Sequence, residues 1–374
     1  MDGKESQSSP LDIEGLLQDP WPVTEGKVEL LQRFLASESD GNRFVLGKNS
    51  ESESLANQVR IDGVVDDFAG SGETWNGIPV LPGREVPLEG MVVNCSTSIS
   101  PVSAANCLSD LNIAGTFPYA DLCRMFPDEF PLPSFVAKTR EDIEGNLTNW
   151  QELADILADD ESRKTLSDVV RFRSTGDPKA MAGYANRPQE QYFETFLGLG
   201  AGETFVDAGG FDGDTTEGFI RYVPGYKRIY LFEPSGASLE KARQRLQGAD
   251  GIEFIPKGVS DQPGELFFNP DAGSASSVQE EGGCKISVTT IDEEVSEPVS
   301  FIKMDLEGWE LQALAGAQYH IQQDHPRLAV CVYHKPEDFR LVPQVVLKFN
   351  PRYKVYLRHY TEGWSETVMY FVPN

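Results

Sequence analysis

The chain has 374 residues, with 32 lysines and arginines against 59 aspartates and glutamates, a formal net charge of −27. An acidic excess of that size opposes nucleic acid and anionic membrane surfaces, because both are held by lysine and arginine. A hydrophobic fraction of 40% supports real cores and excludes wholesale disorder, and the length predicts two or three domains. No apolar run approaches the roughly 18 residues needed to cross a bilayer, so no membrane span is expected. The opening Met1-Asp2-Gly3-Lys4-Glu5-Ser6 has neither the basic nor the apolar region of a secretory leader. Cys95, Cys107, Cys123, Cys284 and Cys331 are odd in number and widely spaced, and read as small buried hydrophobes in a reducing cytoplasm rather than disulfides or zinc ligands.

In chain order, residues 1–41 are polar with one amphipathic stretch that puts Leu31, Phe34 and Leu35 on one helical face, a packing appendage. Residues 42–135 read as a small Rossmann-like domain, with strands at 43–46, 59–65, 77–81 and 91–94 and a helix at 51–59. A strand, a glycine turn at Gly47, a helix and a second strand ending in Asp66-Asp67 make up the order of a mononucleotide-binding unit. That loop keeps one glycine where three are expected, which favours packing or ligand positioning over a competent cofactor site. Residues 136–190, rich in charge and helix formers, read as a helical bridge between domains.

Residues 191–374 alternate strands and helices. Strands are expected at 204–206, 228–232, 252–255, 299–304 and 328–333, with helices from near Thr215, through Leu239, Ala242 and Leu246, and over 310–317. Their continuous apolar runs suit parallel strands covered on both faces, so the fold class is α/β: a doubly wound Rossmann-like sheet behind a smaller α/β domain. Ligands are then expected at the carboxyl ends of the strands.

The informative stretch is Val206-Asp207-Ala208-Gly209-Gly210-Phe211-Asp212-Gly213-Asp214-Thr215-Thr216. Glycines after a strand let the backbone turn tightly, and the following helix end offers free N–H groups. Ala208-x-Gly210-x-x-Gly213 is a degenerate dinucleotide fingerprint, and Glu233 sits where a ribose-binding acid belongs. Spacing leaves a dinucleotide and S-adenosylmethionine both open. Charge discriminates: Asp207, Asp212 and Asp214 crowd the turn with no lysine or arginine near in sequence, which repels pyrophosphate and suits a donor carrying an ammonium and a sulfonium.

Asp305 emerges from the strand that ends Lys303-Met304, where it is placed to hold the ammonium group, orient an acceptor or help bind a divalent ion. Of the four histidines, His334 alone follows a buried run at a strand's carboxyl edge, the place for a general base. His320 and His325 read as solvated and His359 as structural or supporting. A magnesium ion on Asp305, Glu307 and His334 is compatible with the ligand types, but no spacing requires a metal.

These residues resemble the FkbM family of S-adenosylmethionine-dependent O-methyltransferases over about 191–372. The resemblance rests on the loop above, on Phe232-Glu233-Pro234, on Phe301-Ile302-Lys303-Met304-Asp305-Leu306-Glu307-Gly308-Trp309-Glu310, on Val332-Tyr333-His334-Lys335-Pro336-Glu337-Asp338 and on Leu357-Arg358-His359. The family loop reads D-x-G-A-N-x-G-D, whereas Gly210 and Phe211 stand here in place of its Ala and Asn. The resemblance implies methyl transfer to a hydroxyl of a sugar, glycan precursor or related natural product. Asp207, Gly209, Gly213 and Glu233 would bind the donor, with Gly210, Asp212, Thr215 and Pro234 as further candidates around them. Asp305, Glu307 and His334 would face a small-molecule or glycan acceptor. Rival expectations are a nicotinamide-dependent sugar oxidoreductase and an inactive nucleotide-fold binding protein; a homo-oligomer stays open. The late aromatics Tyr353, Tyr356, Tyr360, Trp364 and Tyr370 offer surfaces for sugar stacking, as does the polar loop at 273–277 for lining an acceptor pocket.

Overall fold

A computed structural model describes residues 11–374 except 19, 37–41, 114, 269–277 and 280–283. The polar loop at 273–277 therefore lies outside the described residues.

The first sheet contains β1 (Arg43–Leu46), β2 (Gly63–Val65), β3 (Thr74–Trp75), β4 (Ile78–Leu81), β5 (Met91–Asn94) and β6 (Gly115–Pro118) in the order β3-β4-β2-β1-β5-β6. All its pairings are parallel except the β3–β4 hairpin. The large sheet contains β7 (Thr204–Ala208), β8 (Arg228–Phe232), β9 (Ile252–Ile255), β14 (Phe301–Met304), β15 (Arg327–Cys331), β16 (Tyr353–His359) and β17 (Thr367–Pro373), in the order β16-β17-β15-β14-β7-β8-β9. The strands from β15 to β9 run parallel, and β17 and β16 turn back antiparallel at one edge. Between them in sequence, β10 (Gly258–Val259), β11 (Gly264–Phe268), β12 (Val278–Gln279) and β13 (Cys284–Thr289) form a small third sheet in the order β10-β13-β11-β12.

Strand order reverses between β7 and β14: the chain winds outward through β8 and β9, then returns to start again at β14. Loops leaving these two strands diverge, and the crevice between them is the natural ligand site of an open α/β sheet. Both strands are buried at every position, which explains why they are apolar except for Thr204, Asp207 and Lys303.

The stretch read as a helical bridge also covers the large sheet. Helices Ser134–Gly145, Leu147–Ile156 and Asp160–Thr175 bury Ile143, Trp150, Leu166, Val169 and Phe172 in the same core as Val206, Ile302, Val330 and Val355. Trp150 stacks on Phe339 at 5.4 Å, and the Arg358 guanidinium reaches Asp159 at 2.8 Å. The expected N-terminal appendage divides between two cores: the turn Ile13–Leu16 joins this one, while helix Glu25–Leu35 packs Leu31 and Phe34 under the first sheet, Phe34 meeting Phe117 edge-on at 5.4 Å. The two domains meet where the loop before β17 touches the end of β5. The Trp364 N–H donates to the Ser98 carbonyl at 3.0 Å, and Glu362 accepts from the Ser103 N–H at 2.9 Å, in the first turn of helix Pro101–Asp110. Among the described residues no helix is long and apolar enough to cross a membrane.

Candidate active site

The loop after β7 is shaped by contacts that only glycine allows. Gly209 has φ +82°, and a Cβ there would lie 2.0 Å from the Asp305 carbonyl oxygen, so the ends of β7 and β14 touch backbone to backbone. Gly210 leaves room for Leu231, and Gly213, at φ +84°, begins helix Asp214–Tyr222 against Ala242. No side chain caps the start of that helix. Its first-turn N–H groups other than that of Thr215 therefore remain available to a ligand.

Glu233, at the end of β8, is 8% exposed and turns back to this loop. One carboxylate oxygen accepts from the Phe211 N–H at 3.0 Å, the other from the Ser235 N–H at 2.7 Å. Burial raises its pKa above the ordinary value, against those two N–H groups. A carboxylate has about four acceptor positions, so two remain for ribose hydroxyls. Pro234 follows directly and leads into the Ser235 cap of helix Gly236–Arg245. Phe211 is 60% exposed at the tip of the loop, at φ +42°.

The structure corrects the expectation that unpaired aspartates mark this turn. Asp207 is fully buried, 3.1 Å from the Lys303 ammonium, and accepts from the Thr216 hydroxyl at 2.7 Å. It braces the site from inside and presents no surface to a donor. Asp212 is paired with Arg245 at 2.6 Å, and Asp214 accepts from the Thr215 N–H at 2.7 Å. Both cations come from elements distant in sequence, so the turn is far less negative than its sequence suggests. Thr215 is thereby tied to its own helix end. Lys303 also donates to the Gly209 carbonyl at 2.6 Å and lies 5.4 Å from the centre of the Tyr192 ring. Burial alone would lower its pKa, but Asp207 and Asp305 keep it protonated.

The second cluster stands at the ends of β14 and β15. Asp305 accepts from the Tyr192 hydroxyl at 3.0 Å. The His334 side chain is 6% exposed; its Nε2 lies 3.5 Å from Asp305 and 3.4 Å from Glu307, and its Nδ1 3.0 Å from Glu310. Glu310, which sequence reasoning missed as a site residue, is fully buried and accepts from the Leu306 and Gly308 N–H groups at 2.8 and 3.4 Å. Burial alone would lower the pKa of His334, but Glu310 first, then Glu307 and Asp305, hold it well above the ordinary value. Three carboxylates thus surround the ring that the sequence places as a general base. Behind it, the buried Arg173 donates to the Tyr333 and Trp364 carbonyls at 3.2 and 2.9 Å.

Backbone strain maps the same place. Apart from asparagines, the described residues other than glycine with positive φ are Tyr192, Phe211, Glu307, His325 and Glu366, and all but His325 border these two clusters. Glu307 at +53° and Gly308 at +88° form a consecutive left-handed pair that turns the Glu307 carboxylate to the ring of His334. Strain of about 1–3 kcal/mol per residue persists where the surroundings over-determine it, as at active sites. Exposure and sign of φ cannot be read from sequence, which is why Tyr192 and Glu366 gave no signal there. Of the late aromatics, Tyr353, Tyr360 and Tyr370 are buried core, Tyr356 stacks on Phe196 at 4.4 Å, and only Trp364 approaches the site, 5.9 Å from Tyr333.

Residues 207–360 match the family model described as methyltransferase FkbM domain. A crystal structure of methyltransferase FkbM from Methylobacillus flagellatus KT is 25% identical, with 96% of this chain and 96% of that chain covered and a TM-score of 0.72. An rRNA methylase from Streptococcus thermophilus is 19% identical over 48% of this chain and 92% of its own, with a TM-score of 0.34, an overlap too weak to carry weight. No curated protein matches the sequence. The M. flagellatus likeness spans both sheets, and with the domain match it sets the oxidoreductase expectation aside: residues 207–360 carry a methyltransferase FkbM domain, in a chain folded throughout like that methyltransferase.

Proposed function

We propose that this protein is an S-adenosylmethionine-dependent O-methyltransferase acting on a hydroxyl of a sugar, glycan precursor or related natural product. The observation that carries the reading is the pairing of Glu233 with the Asp305–Glu307–His334 cluster on the two sides of one crevice. Glu233 has acceptor capacity left for the donor's ribose, and the uncapped helix after Gly213 offers N–H groups beside it. The carboxylates across the crevice suit a polyhydroxylated acceptor, whose hydroxyls donate to them.

In the transfer, the acceptor oxygen bonds to the methyl carbon, the carbon–sulfur bond breaks, and S-adenosylhomocysteine leaves with the electron pair on sulfur. The hydroxyl proton needs a place to go. Glu307 is the base we assign: its side chain is 37% exposed, against 24% for Asp305 and none for Glu310, and its left-handed backbone fixes its direction. His334 beside it steadies the cluster, and Lys303 fixes the Gly209 carbonyl from below. A positioned base contributes about 10²–10⁴ in rate.

A thermal-shift panel tests the reading. S-adenosylhomocysteine at a hundredfold excess over its dissociation constant should stabilise the protein by about 2.7 kcal/mol, and NAD should not. Stabilisation by NAD alone, or by neither ligand, sinks it. Glu307→Gln should cut turnover about a hundredfold or more with donor affinity unchanged; wild-type turnover removes Glu307 from the role.

A further inference from the structure

The cluster around His334 has unmet valence. Asp305, Glu310 and His334 each bring one donor atom within 4.8 Å of the others. The His334 side chain is more than nine-tenths buried, yet neither ring nitrogen is aligned with a hydrogen-bond partner. Glu310, fully buried, leaves its Oε2 without a partner as well. Polar atoms in such positions are ordinarily satisfied, and each exception calls for a cause.

The cations close by are committed elsewhere. Lys303 serves Asp207 and the Gly209 carbonyl, Lys335 donates to the Gly308 carbonyl, and Arg173 donates to the Tyr333 and Trp364 carbonyls. The donors themselves are held in place. The Leu306 and Gly308 N–H groups fix one oxygen of Glu310, the Tyr192 hydroxyl fixes one oxygen of Asp305, and the Tyr333 ring lies against His334 at 4.0 Å. Pre-set side chains supported by a second layer of hydrogen bonds are what a metal centre requires.

We propose that Asp305, Glu310 and His334 bind a divalent metal ion. Two carboxylate oxygens and one imidazole nitrogen are a mixed donor set that suits manganese or magnesium more than a thiolate-seeking metal. Three protein ligands leave open positions on the ion. An acceptor hydroxyl bound there would become more acidic, with Glu307 at hand for its proton. The metal site does not rest on the methyl-transfer reading.

The test is a Mn²⁺ titration of the full chain followed by electron paramagnetic resonance of the free ion, with S-adenosylhomocysteine binding measured in parallel. Wild type should take up one Mn²⁺, and Asp305→Asn and His334→Gln should each weaken it about tenfold or more. Glu240→Gln, on the exposed face of helix Gly236–Arg245, should change nothing. If His334→Gln does not fold by circular dichroism, Asp305→Asn and Glu310→Gln decide the matter. Absence of Mn²⁺ uptake at millimolar concentration overturns the proposal, as does equal uptake by wild type and the site variants, which would place the ion on surface carboxylates. Uptake of Mn²⁺ without binding of S-adenosylhomocysteine leaves the metal site standing and defeats the methyl-donor reading; the converse result separates them the other way.

Discussion

The two parallel sheets begin alike, with a strand, a glycine turn and a helix, and use that geometry oppositely. In the first domain the turn is sealed. Asn49 caps helix Ser50–Gln58 by accepting from the Ser52 N–H at 3.1 Å, and its amide donates to the Cys95 carbonyl at 2.5 Å. Ser52 donates back to the Gly47 carbonyl at 2.8 Å, and Asp66, the acid at the end of β2, is paired with Lys48 at 2.8 Å. In the second domain the helix start carries no side-chain cap and Glu233 keeps free acceptor positions. A ligand site at a helix N-terminus needs N–H groups that the protein has not already satisfied. The first domain, by that test, packs and positions; the loop before β17, which it grips at Ser98 and Ser103, leads to Trp364 beside Tyr333.

The largest contrast should lie in donor binding. Glu233→Ala should weaken S-adenosylhomocysteine about a hundredfold by calorimetry, since two charge-assisted hydrogen bonds are lost at roughly 1.5–3 kcal/mol each. Asp66→Ala should leave that affinity unchanged; equal losses would make the first domain part of the cofactor site. Backbone comes next. Gly209→Ala adds a Cβ 2.0 Å from the Asp305 carbonyl at φ +82°, while at Gly47, φ +121°, the nearest atom is 3.2 Å away. Both pay the strain of about 1–3 kcal/mol, but only Gly209→Ala must also push two strands apart, so its urea midpoint should fall further.

Acid should expose the second domain through His359, which lies in it. Burial, then the Arg173 guanidinium, lowers the pKa of His359 to about 3. Its unfolded value is about 6.5, so protons bind the unfolded chain better, and this contribution is complete above pH 6.5 and lost as pH falls toward 3. Replacement by glutamine should flatten that part of the stability profile in urea unfolding. The smallest effect is Asn49→Ala, a lost cap costing about 1 kcal/mol of stability with turnover unchanged.

Sequence alone determined the parallel second sheet, because strands buried on both faces are apolar over most of their length, and β7, β8, β14 and β15 fall where their patterns put them. It also drew attention to the loop glycines and to Glu233, Asp305 and His334, since these sit at the ends of such strands. Side-chain partners were another matter. The aspartates of the loop looked unpaired because Lys303 and Arg245 are 96 and 33 residues from Asp207 and Asp212, and only folding brings them within 3.1 and 2.6 Å. Residues 136–190 looked like a bridge because an amphipathic helix shows that it has an apolar face without showing what covers it. Glu310 looked like any glutamate in a first helical turn until the left-handed turn before it placed its carboxylate under His334. Periodicity is local and survives in the sequence; charge pairing, burial and backbone strain join distant residues, so they were decided by the tertiary structure.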